Sequence, residues 1–374
     1  MNRTTIKNYM KESLLCILAL LAFISMQYRV NNVPLNVSLI ITFFVLITIG
    51  WFNLKCFTVN DFIVVLINVA SILVTLYFFP GSGVAVNFMN LLLCLIIFNK
   101  VEFSEIITII TRIIIISGIL VFLITSTYSI EWGWISFYDK NGILVNNNTV
   151  AFILVALYIH LSTLLLKKHT KKQIVIFLCL LIFSIVSVYE LGCRTAMLFF
   201  ILYGILMIFR KKITGRNKIT RKLCITFLII SFFFPIIYIF LYNLIGNFEI
   251  MKKNLFSGRE IVWLEAYKQI KISPLFGSGT KFVINYGNNI TTSTHNMLLG
   301  LWKNLGIIPM ISLVYFYMLN KRPKIETNIL ISIIAITIIA CFESFLMDSR
   351  LYLLFLLAFP GTKNEKQIDE KINL

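Results

Sequence analysis

The chain has 374 residues, of which 59% are hydrophobic and only 13% are charged, although its formal net charge is +18. So few charged side chains cannot cover the surface of a water-soluble globule of this size, which indicates an all-α, polytopic integral membrane protein. The basic residues are scattered along short loops instead of gathered on one folded surface with aromatic residues between them. The composition therefore also argues against nucleic acid as a partner.

The hydrophobic segments predict about twelve transmembrane helices. A helix rises about 1.5 Å per residue and the hydrocarbon core is about 30 Å thick, so about 20 residues suffice for each span. The predicted spans are 13–28, 35–53, 61–80, 84–99, 105–126, 148–166, 174–190, 195–209, 223–245, 297–319, 328–346 and 350–360. Together they form a single transmembrane domain, 1–361, and we expect residues 362–374 to be a disordered cytoplasmic tail.

The basic loops predict the orientation of these spans, because cationic residues are enriched in cytoplasmic loops. With twelve spans and both termini inside, the basic clusters all fall on one side. They are Arg3 to Lys11, Lys55, Lys100, Lys167 to Lys172, Arg210 to Lys222, Lys321 to Lys324 and Lys363 to Lys371. The long loop between spans nine and ten, about residues 246–296, then faces outward from the cytoplasmic membrane. The same charges are compatible with contacts to anionic membrane lipids.

The cysteines and histidines predict neither a metal site nor a cofactor. The seven cysteines form no CxxC pair, and they are expected to act as small packing residues. The three histidines, His160, His169 and His295, are too far apart in sequence to suggest a shared metal. Any chemistry is therefore expected to come from side chains alone.

The long outer loop is the expected place for that chemistry, because so hydrophobic a chain has few polar stretches of this length. From Arg259 to Ile272, apolar residues recur at roughly helical spacing and Pro274 ends the pattern, which predicts an amphipathic helix. The apolar residues Ile261, Val262, Leu264, Ala266, Tyr267 and Ile270 would pack on the bilayer surface or on neighbouring spans. The free N–H groups at its start, beside Arg259, would form an anion site.

Three further features lie on the same predicted face. Gly277-Ser278-Gly279 predicts a turn whose backbone can approach a ligand closely. His295 and Asn296 end the loop directly before span ten. Arg194 occupies a very short turn between spans seven and eight, where its guanidinium can hold a phosphate bidentately.

These features together resemble the O-antigen polymerase and O-antigen ligase superfamily. The resemblance rests on a short outer turn with Arg-x-Ala, followed after one more span by a long outer loop. That loop carries Ser-Gly-Arg-x-x-x-Trp, Pro-Leu-x-Gly-x-Gly and His-Asn-x-x-Leu with a later Gly306. The resemblance covers about residues 188–310. Two departures are Cys193, where a serine is common, and the modest length of the loop.

The resemblance implies a glycosyltransferase C-type fold and glycan transfer from an undecaprenyl-diphosphate-linked donor. Cleavage of the glycosyl-phosphate bond leaves negative charge on the diphosphate, which fixed guanidinium groups can neutralise without a metal. Arg194 and Arg259 are the candidates for this role. A histidine side chain can act as a general base, and His295 is the candidate that deprotonates the acceptor hydroxyl. All three match positions that the family takes to be functional.

Other polar residues are weaker candidates. Substrate contacts are predicted, from their position alone, for Lys252, Lys253, Trp263, Lys281, Tyr286 and Asn296. Glu343 and Asp348 flank the outer end of span eleven and could position an outer arginine or the acceptor. Glu131 and Asp139, in the third outer loop, are candidates for contacts with sugar hydroxyls.

Three functions remain open at this point. The first is a polymerase that joins lipid-linked oligosaccharide repeat units into O-antigen or capsule, which the short loop and the lack of an added domain favour. The second is a ligase that hands finished glycan to a terminal acceptor. The third is a polysaccharide transporter or flippase, which would instead show internal repeats and charges at the bilayer midplane. A polymerase would share its pathway with a flippase and a chain-length regulator.

Overall fold

The computed structural model describes most of the chain. The described residues are 3–27, 33–79, 83–131, 134–138, 144–166, 170–209, 217–245, 249–250, 253–254, 259–279, 284–286, 289–291, 294–318, 327–340, 343, 351–358 and 361–362. They form a helical bundle with a few short strands. The predicted tail, residues 362–374, lies outside the described residues except for its first residue.

The helices follow the predicted spans closely along most of the chain. They are α1 (Arg3–Gln27), α2 (Val33–Phe52), α3 (Val59–Phe78), α4 (Gly83–Lys100), α5 (Glu105–Thr125), α6 (Asn147–Leu165), α7 (Lys171–Glu190), α8 (Arg194–Ile208), α9 (Asn217–Ile245), α10 (Arg259–Ile272), α11 (Met297–Leu305), α12 (Ile307–Met318), α13 (Thr327–Ala340) and α14 (Tyr352–Leu356). Five of them, namely α1, α3, α5, α6 and α7, contain segments long and apolar enough to cross a membrane. Shorter apolar segments occur in α2, α4, α8, α9 and α13. The chain is a multi-pass membrane protein, whereas the number twelve stays a prediction.

The structure differs from the predicted spans near the C-terminal end. Predicted span ten is two helices, α11 and α12, because Gly306 between them has φ +90°, which no continuous helix contains. Predicted span eleven ends as a helix at Ala340, before Glu343, and only five residues of predicted span twelve are helical. The separation of α7 from α8 at a turn before Arg194 is confirmed.

The short strands are a second difference from an all-α fold. The strands β2 (Thr127–Glu131), β3 (Trp134–Tyr138) and β4 (Leu144–Val145) form an antiparallel sheet between α5 and α6. In the long loop, β5 (Glu249–Ile250) pairs with β6 (Lys253–Asn254), and β7 (Ile284–Tyr286) pairs with β8 (Asn289–Thr291). A last pair joins β1 (Glu102–Phe103) to β9 (Gly361–Thr362).

The bundle places polar residues inside and apolar residues outside, as expected for helices whose solvent is lipid. On α3, Asn68, Ser71 and Thr75 are buried, while large apolar side chains such as Leu66 and Leu73 are exposed. Asn68 donates to Ser312 of α12 at 2.8 Å, which ties the two helices together in the interior. The polar face of α3 is therefore a packing surface between helices.

Long-range contacts sort the loops to two ends of the bundle. At one end, Lys11 donates to the carbonyl of Glu102, and Lys100 pairs with Asp61 at 2.9 Å. At the other end, Asn147 donates to the carbonyl of Leu191, so the start of α6 lies against the turn before α8. Arg194, which begins α8 directly after this turn, lies at the second end.

Candidate functional site

Four chain segments meet at one carboxylate, that of Glu343. Arg259 donates from Nη2 to Oε1 of Glu343 at 2.6 Å, and Nδ1 of His295 lies 3.0 Å from Oε2. Thr195 approaches from α8, with its hydroxyl donating to Oε1 at 3.5 Å. We call Thr195, Arg259, His295 and Glu343 the Glu343 cluster. The structure thus brings together two predicted site residues, Arg259 and His295, that are 36 positions apart in the sequence.

Helix ends position these side chains. Arg259 is the first residue of α10, and His295 directly precedes Asn296, the N-cap of α11. Oδ1 of Asn296 accepts the N–H of Leu299 at 2.9 Å, and Asn296 is fully buried. The side chain of Asn296 therefore caps α11, and its predicted substrate contact stays a prediction.

The backbone at His295 is strained. Its φ is +49°, and in the described part of the chain it is the only residue other than glycine with a positive φ. Such a conformation costs on the order of 1–3 kcal/mol and persists only where surrounding contacts enforce it. The enforcing contacts lie on both sides, where Thr294 donates to the carbonyl of Asn296 at 2.8 Å and the ring of His295 meets Glu343. Strain of this kind is typical of functional positions.

Trp263 joins α10 to the histidine segment. Its indole N–H donates to the carbonyl of Thr294 at 2.6 Å, and the side chain is 0% exposed. Its ring packs edge-on against Tyr238 and Phe234 of α9. The indole therefore positions the segment before His295, and the predicted substrate contact of Trp263 stays a prediction.

Helix α10 has the predicted bounds but a different buried face. Val262, Ala266 and Ile270 are buried as expected, together with Trp263. Ile261 and Leu264 of the predicted apolar face are instead exposed, whereas Glu260 and Gln269 are buried. The packing of α10 between α9 and α11 selects this face, and a spacing pattern alone could not rotate the helix correctly. Ser257 and Gly258, which precede this helix in the Ser-Gly-Arg motif, lie outside the described residues.

The glycine turn contacts protein, which corrects the predicted role of Gly277-Ser278-Gly279. The N–H groups of Ser278 and Gly279 donate to the carbonyls of Lys303 and Asn304 at 2.7 and 3.0 Å. Gly277 has φ +71°, and a Cβ there would lie 2.6 Å from the backbone of Asn304. The turn therefore satisfies the carbonyls at the end of α11, and glycine is required because two backbones touch.

The partners of Glu343 favour the ionised form of its carboxyl group. Burial raises the pKa of this carboxyl, but the hydrogen bond with His295 and the positive charge of Arg259 outweigh burial. The net result is a pKa below the ordinary value for glutamate, so Glu343 is an anion at neutral pH. An anion opposite Nδ1 favours the tautomer that carries its proton on Nδ1 and its lone pair on Nε2.

Arg194 lies next to this cluster without joining it. It is the first residue of α8, after a turn in which Gly192 has φ +66°, and it is half-exposed. Its neighbour Thr195 contacts Glu343. Within the described part of the chain Arg194 makes no ion pair, in contrast to Arg259, whose side chain is 22% exposed and paired. The two predicted arginines thus have different surroundings.

The remaining predicted contacts are not decided by the structure. Lys252 and Lys281 lie outside the described residues. Lys253 falls in β6 and Tyr286 in β7, but the placement of their side chains is not described. Asp348 also lies outside the described residues.

Sequence reasoning reached Glu343 only as a residue that could position an outer arginine, and it did not connect Glu343 with His295 or single out Thr195. The available signal was an acidic residue at the end of an apolar segment, where an unpaired charge is costly. No pattern in the chain links that position to residue 295. The contact depends on tertiary packing that brings Glu343 to Arg259 and His295.

Comparison with known proteins identifies part of the chain. Residues 177–314 match the family model described as O-antigen ligase. The matched region runs from α7 into α12 and includes Arg194, Arg259 and His295, whereas Glu343 lies beyond it. No curated protein and no solved structure matches the chain.

Proposed function

Since residues 177–314 place the chain in the O-antigen ligase and polymerase superfamily, as the motifs predicted, we propose that it is a polysaccharide polymerase. It joins undecaprenyl-diphosphate-linked oligosaccharide repeat units into O-antigen or capsule on the outer face of the cytoplasmic membrane. The superfamily implies lipid-linked glycan substrates. We add to that family assignment two proposals, namely that the substrate is an oligosaccharide repeat unit and that the reaction is polymerisation.

The Glu343 cluster is the observation that carries this proposal. In the proposed reaction, Nε2 of His295 takes the proton of the acceptor hydroxyl while that oxygen attacks the anomeric carbon. The bond between the anomeric carbon and the diphosphate oxygen breaks, and its electron pair leaves with the diphosphate. The imidazolium formed at His295 is stabilised by the anionic Glu343 at 3.0 Å.

The two arginines have different proposed roles at the leaving diphosphate. Arg194, half-exposed and beside the cluster, offers a full guanidinium fork to the diphosphate. Arg259 shares its charge with Glu343 and keeps that carboxylate from repelling the diphosphate. The helix dipole at the start of α10 adds a favourable field for the same anion. This set of groups requires no metal, so activity is expected to persist in chelator.

The orientation is part of the proposal. The loops with the basic clusters belong to the cytoplasmic side by the distribution of lysine and arginine. The contacts that hold Lys11 and Lys100 at one end and the Glu343 cluster at the other are consistent with both termini inside and the site outside. A flippase and a chain-length regulator remain proposed partners.

A ligase is the second candidate, because the matching family model carries that description. Gel analysis of surface polysaccharide in a deletion strain separates the two. Single-repeat products indicate a lost polymerase, whereas lipid-linked polymer that accumulates without transfer indicates a lost ligase. Complementation with His295→Ala, inserted at normal level, must fail in either case. Full complementation by that variant contradicts glycan transfer and favours transport.

A further inference from the structure

The three residues that lead into α11 form a short closed loop with His295 at its tip. The carbonyl of Thr294 accepts the indole N–H of Trp263 at 2.6 Å, and the hydroxyl of Thr294 donates to the carbonyl of Asn296 at 2.8 Å. The same carbonyl accepts the N–H of Gly300 at 2.9 Å, as the first hydrogen bond of α11. The residues on both sides of His295 are therefore fixed, one to α10 and the other to α11.

The side chain of Thr294 is enclosed. It is only 1% exposed, although it lies in a loop beside a partly exposed histidine. Threonine is branched at Cβ, so its χ1 angle has few favourable values. A rotation of the hydroxyl would break its bond to the carbonyl of Asn296 and leave a buried polar group without that partner. The loop is therefore closed by a hydroxyl that has one favourable position.

Gly300 makes room for this hydroxyl. A Cβ added at Gly300 would lie 2.8 Å from Oγ1 of Thr294, which is well inside van der Waals contact. Any larger residue at position 300 would push the hydroxyl away from the carbonyl of Asn296. Glycine is otherwise unfavourable within a helix, and here it permits a close approach to the start of α11.

The closed loop accounts for the conformation of His295. With both of its neighbours held, the residue between them has φ +49°, and its ring meets Glu343 with Nδ1 3.0 Å from Oε2. A strained backbone of this kind persists only where its surroundings impose it. Thr294 belongs to those surroundings without contact to the ring in any described hydrogen bond.

We propose that Thr294, seated against Gly300, is a positioning residue for the base. Its hydroxyl acts through the backbone of His295 and sets the direction in which Nε2 meets the acceptor hydroxyl. This inference rests on the proposed role of His295 as general base. Proton transfer requires the two heavy atoms to lie within hydrogen-bond reach, so a displacement of about 1 Å can lower the rate about 10²-fold.

The test separates positioning from substrate binding. Transfer of lipid-linked repeat units is measured with Thr294→Val, which keeps the shape but loses the hydroxyl, and with Gly300→Ala, which displaces the hydroxyl. We expect kcat to fall about tenfold or more in each variant and KM to stay within about twofold, because the substrate contacts are unchanged. Thr294→Ser keeps the hydroxyl and should retain most of kcat.

Two control variants make the same chemical changes elsewhere in the bundle. Thr163 is 0% exposed and donates to the carbonyl of Ile159 at 2.8 Å, and a Cβ at Gly204 would lie 2.8 Å from Cδ2 of Leu181. Thr163→Val and Gly204→Ala should each keep kcat within about twofold of the unmodified protein, per inserted molecule. An equal loss of kcat in these controls overturns the proposal, since the loss would then follow from any damaged packing contact.

A double variant tests the contact between Thr294 and Gly300 directly. Without the hydroxyl, a methyl group at position 300 has nothing to displace, so Thr294→Ala/Gly300→Ala should be as active as Thr294→Ala. Additive losses contradict the contact. If Thr294→Val is not inserted in the membrane, Gly300→Ala replaces it, and a normal kcat in that variant overturns the proposal.

Two further measurements distinguish this inference from the proposed function. Glycine adopts a positive φ without steric cost, so His295→Gly should unfold at a higher temperature than His295→Ala if the loop imposes φ +49°. The reverse order would contradict the imposed conformation, whatever the reaction. Normal transfer by His295→Ala removes the general base from the proposed function. Lost transfer in His295→Ala, with a normal kcat in Thr294→Val and Gly300→Ala, leaves that function standing and overturns the positioning role.

Discussion

Asp61 and Glu343 both form ion pairs, and the surroundings of the two carboxylates differ. Asp61, at the start of α3, accepts from the backbone and hydroxyl of Thr58 and pairs with Lys100. Two of those bonds are local to a helix end, and the pair joins α3 to α4. Glu343 instead holds groups from three distant segments, one of them a histidine with a strained backbone. Both carboxylates thus form ion pairs, and the histidine held against Glu343 is what distinguishes the Glu343 cluster.

The largest expected effect follows from the removal of the base. His295→Ala should lower the rate of glycan transfer about 10²- to 10⁴-fold, because the acceptor hydroxyl loses its proton acceptor. The measurement is polymer formation from lipid-linked repeat units in membranes with equal amounts of the inserted protein. A decrease below about threefold would place the base elsewhere and remove the main difference between the two carboxylates.

Glu343→Gln tests whether the carboxylate of Glu343 acts differently from that of Asp61. The amide keeps the shape but removes the charge that orients His295, so the transfer rate should fall about 10- to 100-fold. Single-turnover assays with saturating substrate isolate the chemical step. A variant with a normal chemical rate and only a lower folded fraction would show that Glu343 is as structural as Asp61.

The same variant should change how stability depends on pH. The pKa of Glu343 is lowered in the folded protein, so its contribution is fully present above the unfolded value of about 4.3 and is lost as pH falls through the folded value. The difference in thermal unfolding temperature between the unmodified protein and Glu343→Gln should be constant above about pH 5 and shrink on further acidification. A difference that grows on acidification would contradict the lowered pKa.

Arg194→Lys tests the proposed contact between Arg194 and the diphosphate of the substrate. Lysine keeps the charge but not the planar fork, so kcat/KM for transfer should fall about tenfold. The stability should change little, because Arg194 makes no ion pair among the described residues. Arg259→Lys is the matched variant, and it should also lower the unfolding temperature, because it disturbs the contact with Glu343. Equal losses of stability in the two variants would argue against the different roles.

Asp61→Asn should have the smallest effect on activity. The variant loses the ion pair with Lys100 and part of the helix cap, which lowers the free energy of unfolding by about 1–2 kcal/mol. Transfer per inserted molecule should stay within about twofold of the unmodified protein, since Asp61 lies at the opposite end of the bundle from the Glu343 cluster. A loss of activity comparable with that of Glu343→Gln would mean that the ion pair couples to the site.

Local patterns predicted local features well. The bounds of α10 were recovered because apolar spacing, Arg259 and Pro274 all act within one helix. The division of α7 from α8 followed from the distribution of charge. The motifs with Arg194, Arg259 and His295 predicted the family that residues 177–314 match.

Features that depend on contact between distant segments were missed or misread. The glycine turn was read as a ligand cradle because its freedom of φ is visible in sequence, whereas the carbonyls that it meets, at the end of α11, are not. Trp263 was predicted to contact substrate from its position in the loop alone, and sequence did not show that α9 encloses its ring. The sheet between α5 and α6 escaped notice because its strands are short and lie within a mostly helical chain.

The sequence by itself determined that the chain is a multi-pass membrane protein and where most of its helices begin and end, and it predicted which residue types would carry the chemistry. These properties follow from composition and from spacing along one helix, which act locally. Only the tertiary structure decided that Glu343 joins Arg259 to His295, and which side of α10 is buried. Both features depend on contacts between segments that are far apart in the chain. Tertiary packing brings those segments together, and no local sequence pattern encodes that contact.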